Sequence, residues 1–359
     1  MRERFHCAPK RHIWFAVAAA LLLLFLIGRK SQSAMTWLVD HVTQPFKQGL
    51  SAVTYLVPVP LAELLYVGLG LALVIALIRL PFVIRKAENR RREAYLRVLS
   101  LLCGVLTVAD WFCLAWGINY YADGFQERSG LYAQPVTVEE LYRVTALFTE
   151  ELNDLCGAVP RDGQGLFNVE REDIFQSSTT VYSNLSREFP FLAREDRVPK
   201  KMLCSKLLSA MGFTGYYAGM TGESVLNVDS PACLLPATIT HELAHQRGIA
   251  SEQECNFLAV AASTSCDNVV YQYSGYLMGY IHLSNALYKA DRELWTQLRQ
   301  ELAEEVLLDI QYNNVYWQQW ESPVDTVSQK VYDTFLKSYG QEDGVQSYGT
   351  VVDLLVAYY

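Results

Sequence analysis

The residues best able to do chemistry are His241, Glu242 and His245, in the run His241-Glu242-Leu243-Ala244-His245. Residues four apart share one face of a helix, so both imidazoles can reach a single ion. Glu242, beside the first histidine, can face a water on that ion. Zinc lowers the pKa of such a water to about 7, a carboxylate takes its proton, and the metal polarises a carbonyl. This pattern predicts peptide-bond hydrolysis, with Zn2+ as cofactor, His241 and His245 as ligands and Glu242 as general base. The bland alternative is two histidines satisfied by hydrogen bonds in a helical core. The chain holds only six histidines, and of these only His241, His245 and His282 fall after residue 120.

A catalytic zinc needs a third protein ligand. Gly248 permits a sharp turn out of the first helix. A metzincin would then carry a histidine three residues on, where this chain has Ser251. Ser251 reads as the N-cap of a second helix, with Glu254 closing a capping box. Glu252 is then free to turn back to the metal, and it shares a face with Asn256. Glu252 is the expected third ligand, Glu254 the alternative, and a solvated acidic helix start the bland reading of both.

Other residues fit supporting roles. A developing oxyanion wants a hydrogen-bond donor besides the metal. Tyr273 is the candidate here, ahead of Tyr276 and His282, although tyrosines are more commonly packed in a core. Residues 224–228 read as a short strand, and an edge strand beside the active helix could bind substrate backbone by strand addition. That makes Val225 and Asn227 candidate substrate-binding residues. Glu223 could line the cleft, whereas Arg247 is expected to pair with a local carboxylate.

The elements that must position these residues are mostly helical. Thr137-Val138-Glu139-Glu140 opens a helix, with Leu141, Val144, Leu147 and Phe148 at helical spacing. Further helices are predicted near 271–290, 294–308 and 327–336. Residues 215–222 read as loop and turn, and Pro236 precedes the HExxH helix.

Hydrophobic residues make up 51% of the chain and charged residues 19%, below the roughly 25% usual in soluble domains, so part of the chain is expected in lipid. A net charge of -8 argues against a nucleic-acid partner. Apolar spans at about 13–28, 61–84 and 98–118 are long enough for three transmembrane helices. The first could also be a cleaved signal peptide, and the third, which carries Asp110, a buried soluble helix. The N-terminus and the run 85–97 are basic, which predicts a cytoplasmic N-terminus and an extracytoplasmic C-terminal domain. The expected organisation is a membrane anchor over 1–120 and a catalytic domain over 121–359. The fold class is mainly α, a mostly helical zincin-like domain with a small β element. None of the eight cysteines forms a CxxC pair, so a thiolate zinc site is not expected.

Glu252-Gln253-Glu254-Cys255-Asn256 resembles the E-x-x-A-[DN] signature of gluzincin-type peptidases, whose first glutamate is a metal ligand. Here Cys255 replaces the usual alanine, and the separation from the HExxH helix is shorter. A wider resemblance covers nearly the whole chain. Residues 211–227, then HELAHQRGIASEQECNFLA, Tyr273-Ser274-Gly275-Tyr276, Phe335-Leu336-Lys337 and 344–348 resemble the bacterial family catalogued as domain of unknown function 3810. That resemblance implies a membrane-anchored, zincin-like protein and names no substrate.

The expected activity is therefore a membrane-anchored zinc metallopeptidase whose partners are a peptide or protein substrate and the lipid bilayer. The main alternative is a non-catalytic zincin-like membrane protein with a structural or sensing role. Hydrolysis of a non-peptide amide, such as a cell-wall bond, is a third reading. The polar flanks Thr238, Thr240, Gln246 and Arg247 argue against an intramembrane protease.

Overall fold

The computed structural model describes residues 8–341 and 348–359. Arg2 and Arg4 of the basic N-terminus, and the resembling residues 344–347, lie outside the described residues. The chain divides into two compact units, 1–122 with 219–222, and 123–218 with 223–359.

The first unit contains α1 (Pro9–Gly28), α2 (Gln32–Leu38), a π-helical turn (Val39–Thr43), α3 (Gln44–Thr54), α4 (Leu61–Lys86) and α5 (Arg90–Ala115). Helices α1, α4 and α5 are long and apolar enough to cross a membrane. Side chains such as Leu24, Leu71, Ile78 and Val105 are exposed on them. Apolar surface of this extent is compatible with a lipid environment. Helix α5 packs against α1. Asn89 caps α5 by accepting from the Arg92 backbone N–H, directly after the basic end of α4. The turn 219–222 belongs to this unit, where Trp111 Nε1 donates to Met220 O and Thr54 Oγ1 to Thr221 O.

The second unit is mainly helical. It runs α6 (Phe125–Ser129), α7 (Val138–Cys156), α8 (Arg171–Gln176), α9 (Leu185–Glu188), β1 (Lys200–Lys201), α10 (Ser205–Ala210), β2 (Gly215–Ala218) and β3 (Glu223–Leu226). Then follow α11 (Leu235–Gln246), α12 (Glu252–Ser265), α13 (Val269–Ala290), α14 (Arg292–Glu301), α15 (Glu304–Gln318), α16 (Pro323–Ser338) and α17 (Tyr348–Tyr358). The core is formed by α7, α11, α12, α13 and α17. The reading of α7 holds: Thr137 and Glu140 make a capping box, and Leu141, Val144, Phe148 and Leu152 face the core. The helix expected near 294–308 is two helices, because α14 ends at Glu301 and α15 restarts at Glu304.

The sheet overturns one expectation. Its order is β1-β3-β2, with β1 parallel and β2 antiparallel to β3. Val225 pairs with both Lys200 and Tyr216, so β3 is the central strand. It is buried throughout and cannot accept a substrate strand at an edge. Asn227 follows β3 and spends its side-chain amide on Ser209 Oγ and Phe213 O. The substrate-binding role expected for Val225 and Asn227 is thus corrected to a structural one. Residues 215–218, read as turn, form the outer strand β2. Gly-Tyr-Tyr-Ala has turn-like composition, and only its pairing with β3 makes it a strand.

Helix α11 is buried on nearly every side, with Pro236 in its first turn. Its turn into α12 passes through Gly248 at φ 89°, a left-handed conformation that a Cβ disfavours. G248A is expected to cost about 1–2 kcal/mol of stability. The check is the melting temperature of the full-length chain in detergent, which should fall.

Candidate metal centre

Helices α11 and α12 bring together the three residues singled out as ligands. His241, His245 and Glu252 each offer a donor atom, and these atoms lie within 4.8 Å of one another. His241 Nε2 is 3.3 Å from Glu252 Oε2, and His245 Nε2 is 3.6 Å from Glu252 Oε1. A tetrahedral zinc with bonds near 2.0–2.1 Å would separate its ligands by about 3.3 Å.

The imidazoles are held from behind. His241 Nδ1 is 2.8 Å from Asn256 Oδ1, and His245 Nδ1 is 2.8 Å from Ile249 O. The carbonyl of Ile249 only accepts, so His245 carries its proton on Nδ1 and presents a lone pair at Nε2. The amide orientation of Asn256 gives His241 the same tautomer. Such partners behind metal-binding histidines fix ring orientation and raise basicity. Asn256 is positioned by its spacing, four residues after Glu252 on the same face of α12.

Glu242 is buried beside the two histidines, and its Oε2 has no hydrogen-bond partner among the described residues. A buried carboxylate oxygen without a partner is costly, and Glu242 feels the charges of His241, His245 and Glu252. Burial, helped by the charge of Glu252, pushes the Glu242 pKa up to about 7, against the charges of both histidines. Strand β2 makes room for this carboxylate, since a Cβ on Gly215 would sit 3.1 Å from Glu242 Oε1. Burial also works to raise the pKa of Glu252, but the charges and hydrogen bonds of His245 and His241 outweigh it and hold it well below the ordinary range. At His245 burial opposes the charged form, and Cys255 and Glu252 together overcome this and raise its pKa.

The other sequence candidates lie elsewhere. Glu254 does not close a capping box. Ser251 Oγ accepts from the Glu254 N–H, but the Glu254 carboxylate accepts from the N–H groups of Phe125 and Gln126 at 2.8 and 3.1 Å. It thus caps α6 and is spent on structure. Tyr273 is fully buried, with its hydroxyl 2.5 Å from Asp309 Oδ2, its ring stacked on Phe167 and the Arg161 guanidinium over that ring. Its expected catalytic role is corrected, because its only polar atom is committed to Asp309. Tyr276 packs edge-on against Phe148. Burial, with the charge of His241, lowers the His282 pKa to about 4, so His282 is neutral at pH 7. Glu223 is buried in an ion pair with Lys200. Arg247 forms the expected local pair, a two-pronged contact with Asp196 at 2.6 and 3.0 Å.

One residue was missed. Tyr332 of α16 donates its hydroxyl to Glu252 Oε1 at 2.6 Å. No spacing in the sequence links it to a ligand 80 residues earlier.

The family described as "Protein of unknown function (DUF3810)" matches residues 40–356. The chain belongs to this family. Within DUF3810 the match takes in α4, α5 and the whole metal-ligand cluster, while α1 lies ahead of it. No curated protein and no solved structure matches the chain.

A donor set of two imidazole nitrogens and one carboxylate, with an unpartnered carboxylate beside it, fits a zinc ion with one open position. Two outcomes are expected. Zinc binding should weaken as pH falls, because a proton on His245, whose pKa is raised, competes with the metal; titration calorimetry would show it. The second concerns Glu242 under chelator. Its folded pKa of about 7 exceeds the ordinary 4.5, so the fold keeps a proton that the unfolded chain releases between these values. Stability therefore falls as pH rises through that window. E242Q should raise stability near pH 8 by up to ~3 kcal/mol and leave it unchanged near pH 4. Thermal unfolding at the two pH values checks this.

Proposed function

We propose that this DUF3810 protein is a membrane-anchored zinc metallopeptidase with a zincin-like site. The observation that carries the reading is the convergence of His241, His245 and Glu252 next to the buried, unpartnered Oε2 of Glu242. A structural zinc site closes with four protein ligands and needs no base. This cluster has three donors and a carboxylate kept apart from them, the arrangement that hydrolysis requires.

When bound, zinc supplies a lowered water pKa and polarises the substrate carbonyl. The chain's own groups do the rest. Glu242 Oε2 takes a proton from the attacking water and passes it to the departing amine. A carboxyl with a pKa near 7 suits both transfers at neutral pH. Asn256 and the Ile249 carbonyl hold the imidazoles so that only Nε2 is offered. The burial of Glu242, Leu243 and Ala244 on α11 keeps bulk water from the base.

The reading includes a location. Three helices long and apolar enough to cross a membrane and the basic run 85–97 favour a cytoplasmic N-terminus and an extracytoplasmic second unit. Peptides or proteins outside the cytoplasm are then the substrates.

The test is elemental analysis of the full-length chain in detergent, followed by cleavage of a mixed peptide library. About one zinc per chain is expected, as in structures of this donor set. H245A should lose it and E252A should hold it much more weakly, whereas E254A should retain it. E242Q should keep zinc but lose about 10²–10⁴-fold in cleavage rate. A folded wild-type chain that takes up no zinc would overturn the proposal. Zinc uptake without cleavage of any peptide or cell-wall amide would favour the non-catalytic alternative.

A further inference from the structure

We infer that Tyr332 is a positioning residue that keeps Glu252 a one-oxygen metal ligand and thereby keeps a coordination position open. The inference rests on the zinc-site reading above and extends it to a residue that the HExxH pattern does not contain.

The two oxygens of Glu252 are in different surroundings. Oε2 is 3.3 Å from His241 Nε2, on the side of the converging donors. Oε1 is farther from its histidine, 3.6 Å from His245 Nε2, and accepts the Tyr332 hydroxyl at 2.6 Å. A hydroxyl at this distance on a carboxylate is a strong, charge-assisted hydrogen bond. It lowers the electron density available at Oε1 and ties that oxygen to α16. A catalytic zinc carries three protein ligands and one exchangeable position. A glutamate binding through both oxygens would crowd that position. Holding Oε1 on a tyrosine leaves Oε2 as the ligand atom.

The hydroxyl is fixed by the helix that carries it. Gln329, one turn earlier on α16, donates to the carbonyls of Met211 and Gly212 at 3.3 and 3.0 Å. The Tyr332 ring packs edge-on against Phe213, with centroids 5.3 Å apart. Gln329 and Tyr332 thus share the face turned to the 211–213 turn, and Leu336 is buried one turn further on. Val324, Val327 and Val331 are exposed on another face of α16. Polar contacts of Gln329 and apolar contacts of the Tyr332 ring and Leu336 together hold the hydroxyl in place.

The test compares full-length wild type, Y332F and Q329A in detergent, with cobalt(II) as probe and Y312F on α15 as control. Y332F keeps the ring and its contact with Phe213 and removes only the hydroxyl. Expected for Y332F are a folded chain whose melting temperature under chelator falls only by the loss of one hydrogen bond, cobalt affinity weakened roughly 10–100-fold, and weaker visible absorption, the signature of a higher coordination number. Y312F should keep the wild-type spectrum, and Q329A, which loosens α16 but keeps the hydroxyl, should change it by less than Y332F does. Three results overturn the inference: identical affinity and spectrum in Y332F and wild type, an equal change in Q329A, which would assign the effect to helix packing, or a Y332F chain that does not fold. Absence of cobalt and zinc from wild type would instead remove the metal-site reading itself, and the inference with it.

Discussion

Two hydrogen bonds made by ring nitrogens organise the candidate site. An imidazole can present a lone pair to a metal from only one nitrogen once the other is bonded to an acceptor. The Ile249 carbonyl performs this for His245 and the Asn256 amide oxygen for His241. Both acceptors lie beyond the turn at Gly248, one in the turn and one on α12. The angle between α11 and α12 therefore decides whether the two Nε2 atoms meet, and Glu252, in the first turn of α12, arrives with them. The turn, the tautomers and the Glu252 carboxylate are one geometric unit.

Around that unit the second domain handles several buried acids, each by a different route. Asp309 is satisfied by the Tyr273 hydroxyl, the Arg161 guanidinium and the Phe167 N–H. Glu254 is satisfied by the start of α6, and Glu223 by Lys200. Glu252 is balanced by the histidines and Tyr332. Glu242 keeps one oxygen without a partner among the described residues. Since unsatisfied buried carboxylates are costly and cluster where chemistry is done, Glu242 stands apart from its neighbours by its surroundings as well as by its motif.

The first unit follows different physics. Its helices expose leucine, isoleucine and valine over lengths that match a bilayer. Hydrophobic burial in the protein does little for α4, which has almost no buried side chains. Its helicity rests on backbone hydrogen bonds within the segment, the condition for a chain in lipid.

The sequence alone determined the features that depend on local spacing. The three apolar spans, the capped start of α7, the HExxH helix and its paired histidines follow from periodicity, and α12 begins at the Ser251 cap read from the sequence. Glu252 was favoured over Glu254 by capping logic, although the Glu254 side chain in fact serves α6. Tertiary structure decided everything carried by contacts between distant segments. Gly-Tyr-Tyr-Ala became a strand only by pairing with β3, and β3 became central, which buries Val225 and Asn227. Tyr273 was drawn into a network with Asp309, and Tyr332 reached Glu252 across 80 residues of sequence. Side-chain spacing fixes which residues share a face of one helix, but which face meets another element is set by packing, and no local pattern encodes that.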